Sequence, residues 1–76
     1  MEMSLDLTGL RCPLPVIRLE KAMRNAPQAA VIIVRADDPL AKIDLPHAAR
    51  EAGFTCIPLD DPEPGVFRFR VSTGKR

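Results

Sequence analysis

Apolar and polar residues change their period repeatedly along this chain, and each change marks an element. Met3, Leu5 and Leu7 alternate with Ser4, Asp6 and Thr8, the period of two of a strand with one wet face. Gly9 punctuates it. From Pro13 the apolar positions recur at spacings of three and four. Val16, Leu19, Ala22, Met23 and Ala26 fall on one arc of a helix, and Pro27 ends it. Val31-Ile32-Ile33-Val34 is a continuous β-branched run, which predicts a central strand buried on both sides. Asp37-Asp38-Pro39 turns the chain. Leu45, Ala48, Ala49 and Ala52 then show the i, i+3, i+4, i+7 pattern of a second helix. Asp44 is placed as its N-cap and Gly53 follows its last turn. Phe54 to Leu59 reads as a strand, and Pro58 puts it at a sheet edge. Asp60 to Gly65 is a turn. Phe67, Phe69 and Val71 alternate with Arg68 and Arg70 in a last strand.

The predicted order is β-α-β-α-β-β, an α+β fold. In so short a chain this gives a two-layer sandwich, a four-stranded mixed sheet with both helices on one face. The strands flanking the first helix should be parallel and joined by a right-handed crossover. Residues 1–76 are expected to form a single domain. A domain of this size buries only about 60% of its unfolded surface. Function should therefore lie on an edge or an exposed terminus, and no deep enclosed site is expected.

Hydrophobic residues make up 46% of the chain and charged residues 28%, a globular composition. The formal net charge of +1 gives little support for bulk nucleic-acid binding. The start of the chain, Met1-Glu2-Met3-Ser4, lacks the basic and then apolar pattern of a signal peptide. No apolar run approaches the roughly 20 residues of a membrane span. Two cysteines, Cys12 and Cys56, are too far apart for metal-ligand spacing and too few for a disulfide framework. No metal site is expected, and a free thiol fits the reducing cytoplasm.

Cys12 stands where the strand pattern gives way to the helix pattern, in Gly9-Leu10-Arg11-Cys12-Pro13-Leu14-Pro15. Read as the N-cap, it puts Pro13 at the first helical position, where its missing N–H is no loss. Pro15 also falls in the first turn. The prolines stiffen this corner and fix the direction of the sulfur. A helix N-terminus carries roughly +0.5 of a charge, which favours a thiolate. Thiols so placed can drop from about 8.5 to between about 3.5 and 7.5. Pro13 and Pro15 remove two amide donors, so charge would have to come from Arg11 and Lys21, and a moderately activated thiol is expected.

The helical wheel puts Leu14 and Ile17 opposite the Leu19–Met23 core arc, among Arg18, Lys21 and Arg24. Exposed apolar and basic side chains beside a thiol suit a docking patch for a partner protein. The wheel alone equally allows Leu14 and Ile17 to tuck against a loop, with the charges forming an ordinary solvated face. His47 is expected at the surface rather than in a dyad with Cys12. Cys56 is expected as a small buried apolar residue. Turn and cap chemistry accounts for Asp37, Asp38 and Asp44 without a carboxylate site.

Leu5-Asp6 followed by Gly9-Leu10-Arg11-Cys12-Pro13-Leu14-Pro15 resembles the signature of the TusA family of small sulfur carriers, also called SirA-like. Ala36-Asp37-Asp38-Pro39 through Asp44-Leu45-Pro46 resembles that family's second motif. The likeness covers nearly the whole chain. It implies the same two-layer fold, with Cys12 as carrier of sulfane sulfur in a transient persulfide and no other cofactor. Pro13 and Pro15 map as motif prolines, and Asp37 and Asp44 map to the second motif. Implied partners are a donor protein, a cysteine desulfurase or a rhodanese-like protein, and an acceptor with a reactive cysteine. In the family this chemistry serves tRNA thiolation, sulfur oxidation, molybdenum cofactor formation and thiosulfate use. Leu14 stands where the tRNA-thiolation member has an acidic residue, which leaves the pathway open.

One activated cysteine suffices for such a relay, because the resolving thiol belongs to the partner. A monomer is expected, since the carrier must show Cys12 to two partners in turn. Two other readings compete. An RNA-binding module would use Arg68, Arg70, Lys75 and Arg76, but no GxxG loop or stacking aromatic cluster accompanies them. A non-catalytic interaction or regulatory domain would use Cys12 merely as a cap.

Overall fold

The computed structural model describes residues 2–27, 30–60 and 63–72. Its elements run β1 (Glu2–Asp6), α1 (Leu14–Asn25), β2 (Val31–Ala36), α2 (Ala41–Glu51), β3 (Thr55–Leu59) and β4 (Phe67–Ser72). The strands form one mixed sheet in the order β1-β2-β4-β3. β1 and β2 are parallel, with Leu5 opposite Val34. β4 lies antiparallel to both β2 and β3. The strands on either side of each helix therefore point the same way. Both helices return along the sheet in one direction, and both begin at the end where β1 and β2 finish.

One cluster forms the core. Ile32, Val34 and Ala36 of β2 and Phe69 and Val71 of β4 meet Leu19 and Met23 of α1 and Leu45 and Ala49 of α2. Burial along β2 alternates strictly, so this strand is not covered on both faces as its unbroken apolar run suggests. The helices occupy one face only. Val31, Ile33 and Arg35 face the other side, where Arg35 pairs with Asp6 and Glu63. β3 is an edge strand, as Pro58 requires. Cys56 packs against the core from β3 as a half-buried residue, and burial pushes its thiol pKa up.

The helix ends follow from local chemistry. Ala26 leaves α1 in an extended conformation, the one favoured before a proline such as Pro27. α2 closes with a Schellman motif. The Phe54 N–H donates to the Ala49 carbonyl at 2.8 Å and the Gly53 N–H to the Arg50 carbonyl at 3.0 Å. Gly53 supplies the left-handed residue this needs, at φ +84°.

Both helix starts differ from the sequence expectation. α1 begins at Leu14, with Pro13 rather than Cys12 in the N-cap position. α2 begins at Ala41, so Asp44 lies in its first turn and is not its N-cap. Pro46 would fall in the first turn of a helix capped by Asp44, where proline is tolerated. Here it sits inside α2 and removes the donor for the Lys42 carbonyl. Tight contacts close the first turn instead, including Ile43 N–H to the Leu40 carbonyl at 3.1 Å.

Gly53→Ala is expected to lower stability by about 1 kcal/mol, the cost of a side chain in the left-handed region. A urea midpoint equal to that of the parent chain would contradict this assignment.

Candidate active site

Cys12 sits on the short connection between β1 and α1, and its position is fixed from outside that connection. The chain leaves β1 through a turn in which Asp6 accepts from the Thr8 N–H at 3.0 Å and the Thr8 hydroxyl at 2.7 Å. The Thr8 hydroxyl and N–H hold the Asp6 carboxyl below its usual range, with Arg35 helping. The Leu10 N–H then donates to the Leu7 carbonyl, and the Leu14 N–H to the Arg11 carbonyl at 2.8 Å. Gly9 takes a left-handed conformation, φ +84°, in the first of these turns.

Two aspartates from the β2–α2 connection reach across and hold this loop. Asp37 Oδ1 accepts from the Gly9 N–H at 3.0 Å and from Arg11 Nη1 at 3.1 Å. The Gly9 amide, followed by the Arg11 guanidinium, holds the Asp37 carboxyl below the usual carboxylate range. Asp38 is only 5% exposed. Its Oδ2 accepts from the Cys12 N–H at 2.7 Å and its Oδ1 from the Leu40 N–H at 3.1 Å. One buried carboxylate thus ties the Cys12 backbone to the start of the second helix region. Those two amide bonds also offset the desolvation of its charge.

The side chain of Cys12 is exposed. The Cys12–Pro13 peptide is cis. The thiol donates to Asp44 Oδ2 at 3.9 Å, a weak sulfur hydrogen bond. Asp44 reaches it because the early start of α2 carries this residue one turn into the helix. Cys12, Pro13 and Val16 share an open cleft of about 430 Å³ with Asp44 and His47. His47 is exposed, as the sequence suggests, yet the fold brings it to the thiol's own cleft. It makes no hydrogen bond to Cys12. Arg11 turns to Asp37 rather than to the sulfur, so it is not the local source of charge expected for Cys12. Lys21 is exposed on α1.

Pro15 is buried under α1, while Leu14 and Ile17 stand 44% and 51% exposed. Arg18, Lys21 and Arg24 are exposed on the same helix. The apolar surface beside the thiol is broader than the wheel suggests. Leu40 and Ile43, at the start of α2, are 54% and 70% exposed. Arg68 gives its guanidinium to the Asp60 carbonyl, and Arg70 is exposed on β4. Lys75 and Arg76 lie outside the described residues. Among the described residues no cluster of side chains could hold a metal ion, and no helix is long and apolar enough to cross a membrane.

Asp38 is the residue that sequence reasoning passed over. Turn chemistry beside Pro39 explained it fully, and nothing local signals a bond to an amide 26 positions away.

The family described as Sulfurtransferase TusA matches residues 3–73 of the chain. A candidate sulfur carrier protein of Archaeoglobus fulgidus is 39% identical over 70 residues, 92% of this chain and 91% of its own. Another from Neisseria meningitidis is 38% identical over 68 residues, 90% of each chain. The crystal structure of the SirA-like protein from Desulfitobacterium hafniense superimposes with a TM-score of 0.80 at 28% identity, covering 99% of this chain and 100% of that one.

Asp38→Ala is expected to cost about 2 kcal/mol, since it strands two amides, and to speed hydrogen exchange at the Cys12 and Leu40 N–H groups together. Unchanged exchange at both would refute the tie. Asp37 has a lower carboxyl pKa folded than unfolded, so its contribution to stability is present at neutral pH and is lost as pH falls through the folded value. The Gly9 amide resonance should therefore titrate with a midpoint below about 3.9; a midpoint at or above that figure would contradict the bond.

Proposed function

This chain belongs to the TusA family, and on that footing we propose that it is a sulfur carrier that holds sulfane sulfur as a persulfide on Cys12. The observation that carries the proposal is an exposed thiol whose backbone is pinned by Asp38 at the mouth of an open cleft.

The chemistry is exchange at sulfur. The Cys12 thiolate attacks the outer sulfur of a donor persulfide, and a new S–S bond forms at Cys12. The donor's own S–S bond breaks, and its thiolate leaves with the electron pair. An acceptor thiolate then attacks the outer sulfur on Cys12, and Cys12 departs as the thiolate that began the cycle. Access and thiolate fraction set the rate of each exchange. Substrate recognition falls to the protein surface, because the sulfur arrives and leaves on other proteins. The exposed Leu14, Ile17, Leu40 and Ile43 around the thiol are suited to exclude water during these encounters. Arg18 and Lys21 add a basic flank that would steer an acidic partner.

The donor class is a cysteine desulfurase or a rhodanese-like protein, and the acceptor carries a reactive cysteine. A monomer in the reducing cytoplasm suits such a relay. Asp44 orients the thiol toward the cleft, and Asp37 with Asp38 keeps the loop in place.

Cys12→Ser is expected to abolish sulfur transfer from a loaded donor to an acceptor thiol, scored by release of thiocyanate on cyanolysis, with an unchanged thermal melt. Cys56→Ser should transfer normally, because its thiol is half-buried on the far edge strand. Transfer by Cys12→Ser at the parent rate would refute the mechanism.

A further inference from the structure

The cleft at Cys12 continues beyond His47. Between α1 and α2 it opens into a second cavity of about 440 Å³, and the two share Glu20, Ala48 and Glu51 in their walls. Together they make one groove that starts at the thiol and runs down the helix pair to Phe54. Val16, Met23 and the small side chains of Ala48 and Ala52 supply its apolar lining. Alanines on the α2 side leave the space between the helices unfilled.

The rims of this groove are acidic. Glu20 comes from α1 and Glu51 from α2. Both are exposed, and neither forms an ion pair with a described residue. Asp44 adds a third carboxylate at the thiol end, beside His47, and Arg24 stands at the far end. The opposite flank of α1 carries Arg18 and Lys21 beside Leu14 and Ile17. Cys12 therefore lies where two surfaces of opposite charge meet. The whole chain has a formal charge of +1, so the groove's local charge opposes the overall one.

Resting on the reading of Cys12 as the carrier thiol, we propose that this groove seats an extended, basic, cysteine-bearing segment of one sulfur-transfer partner. The segment's thiol meets Cys12, and its lysine or arginine side chains meet Glu20 and Glu51. From Pro13 to Arg24 a helix rises about 16 Å at 1.5 Å per residue. That length matches about five residues of extended chain at roughly 3.3 Å each. An apolar floor with charged rims accepts a short strand of alternating small and basic residues. The basic flank of α1 stays open for a partner of the opposite charge, so charge can separate the two encounters a relay requires.

The test uses the full chain with Cys56→Ser, so that Cys12 alone is converted to its thionitrobenzoate mixed disulfide. Peptides of about six residues carry one cysteine at either end and either three lysines or three glutamates. The peptide thiolate attacks Cys12 Sγ, a new disulfide forms and coloured thionitrobenzoate leaves. Each rate is divided by that peptide's rate with the free cysteine–thionitrobenzoate disulfide, which removes differences in peptide thiol reactivity. The lysine peptides should then react about fivefold faster than the glutamate peptides. The advantage should shrink by about threefold in Glu20→Gln/Glu51→Gln and at about 0.5 M salt, as expected for exposed charges. Equal corrected rates, faster glutamate peptides, or an advantage untouched by the double substitution would overturn the proposal. No persulfide enters this experiment. Failure here leaves the carrier reading standing, and failure of Cys12 to load sulfur leaves this result standing.

Discussion

The Asp38 carboxylate is the interaction on which the site depends. It is buried between the β1–α1 and β2–α2 connections, and its two oxygens hold the amides of Cys12 and Leu40. A buried charge is tolerated only where hydrogen bonds compensate it. Neither amide finds another described acceptor, so the loops and the carboxylate require one another. The parallel pairing of β1 with β2 makes this possible, because it delivers both connections to the same end of the sheet. Asp37 repeats the device one residue earlier, at the surface, through Gly9 and Arg11. The result is a loop that is exposed yet positioned.

That arrangement suits chemistry performed on sulfur brought by other proteins. A small domain cannot enclose a substrate, and this one offers an open cleft, an accessible thiol and a surrounding rim of exposed apolar side chains. In its protonated form the Cys12 thiol donates a weak hydrogen bond to Asp44, at the head of the groove between the helices. On one side of α1 the surface is basic and on the other it is acidic. A carrier must be recognised by more than one partner, and two charged approaches to one thiol provide a physical means of telling them apart.

Much of this was legible in the chain because the local patterns agree with the global fold. Alternation placed β1 and β4, Pro58 placed β3 at the edge, and Gly53 marked the end of α2. The resemblance of the segment around Cys12 brought the family into view. The errors came from contacts that local patterns do not encode. The run Val31–Val34 reads as buried on both faces, yet a sheet with helices on one side leaves Val31 and Ile33 partly open. Asp44 was placed as the N-cap of α2, since nothing nearby announces that the helix starts at Ala41 and runs through Pro46. Cys12 was read as the N-cap because it precedes two prolines, but its amide is taken by Asp38 from a distant loop. The same distance hid Asp38 itself, and it hid the meeting of His47 and Asp44 in the thiol's cleft.

Intact-protein mass spectrometry after incubation with a cysteine desulfurase and cysteine tests the central claim most directly, with thiosulfate and a rhodanese as the parallel donor. The account predicts an added sulfur atom on the chain, removed by reductant and located by fragmentation on Cys12. Sulfur found on Cys56 instead, or no adduct from either donor under conditions that load another carrier of this family, would contradict it.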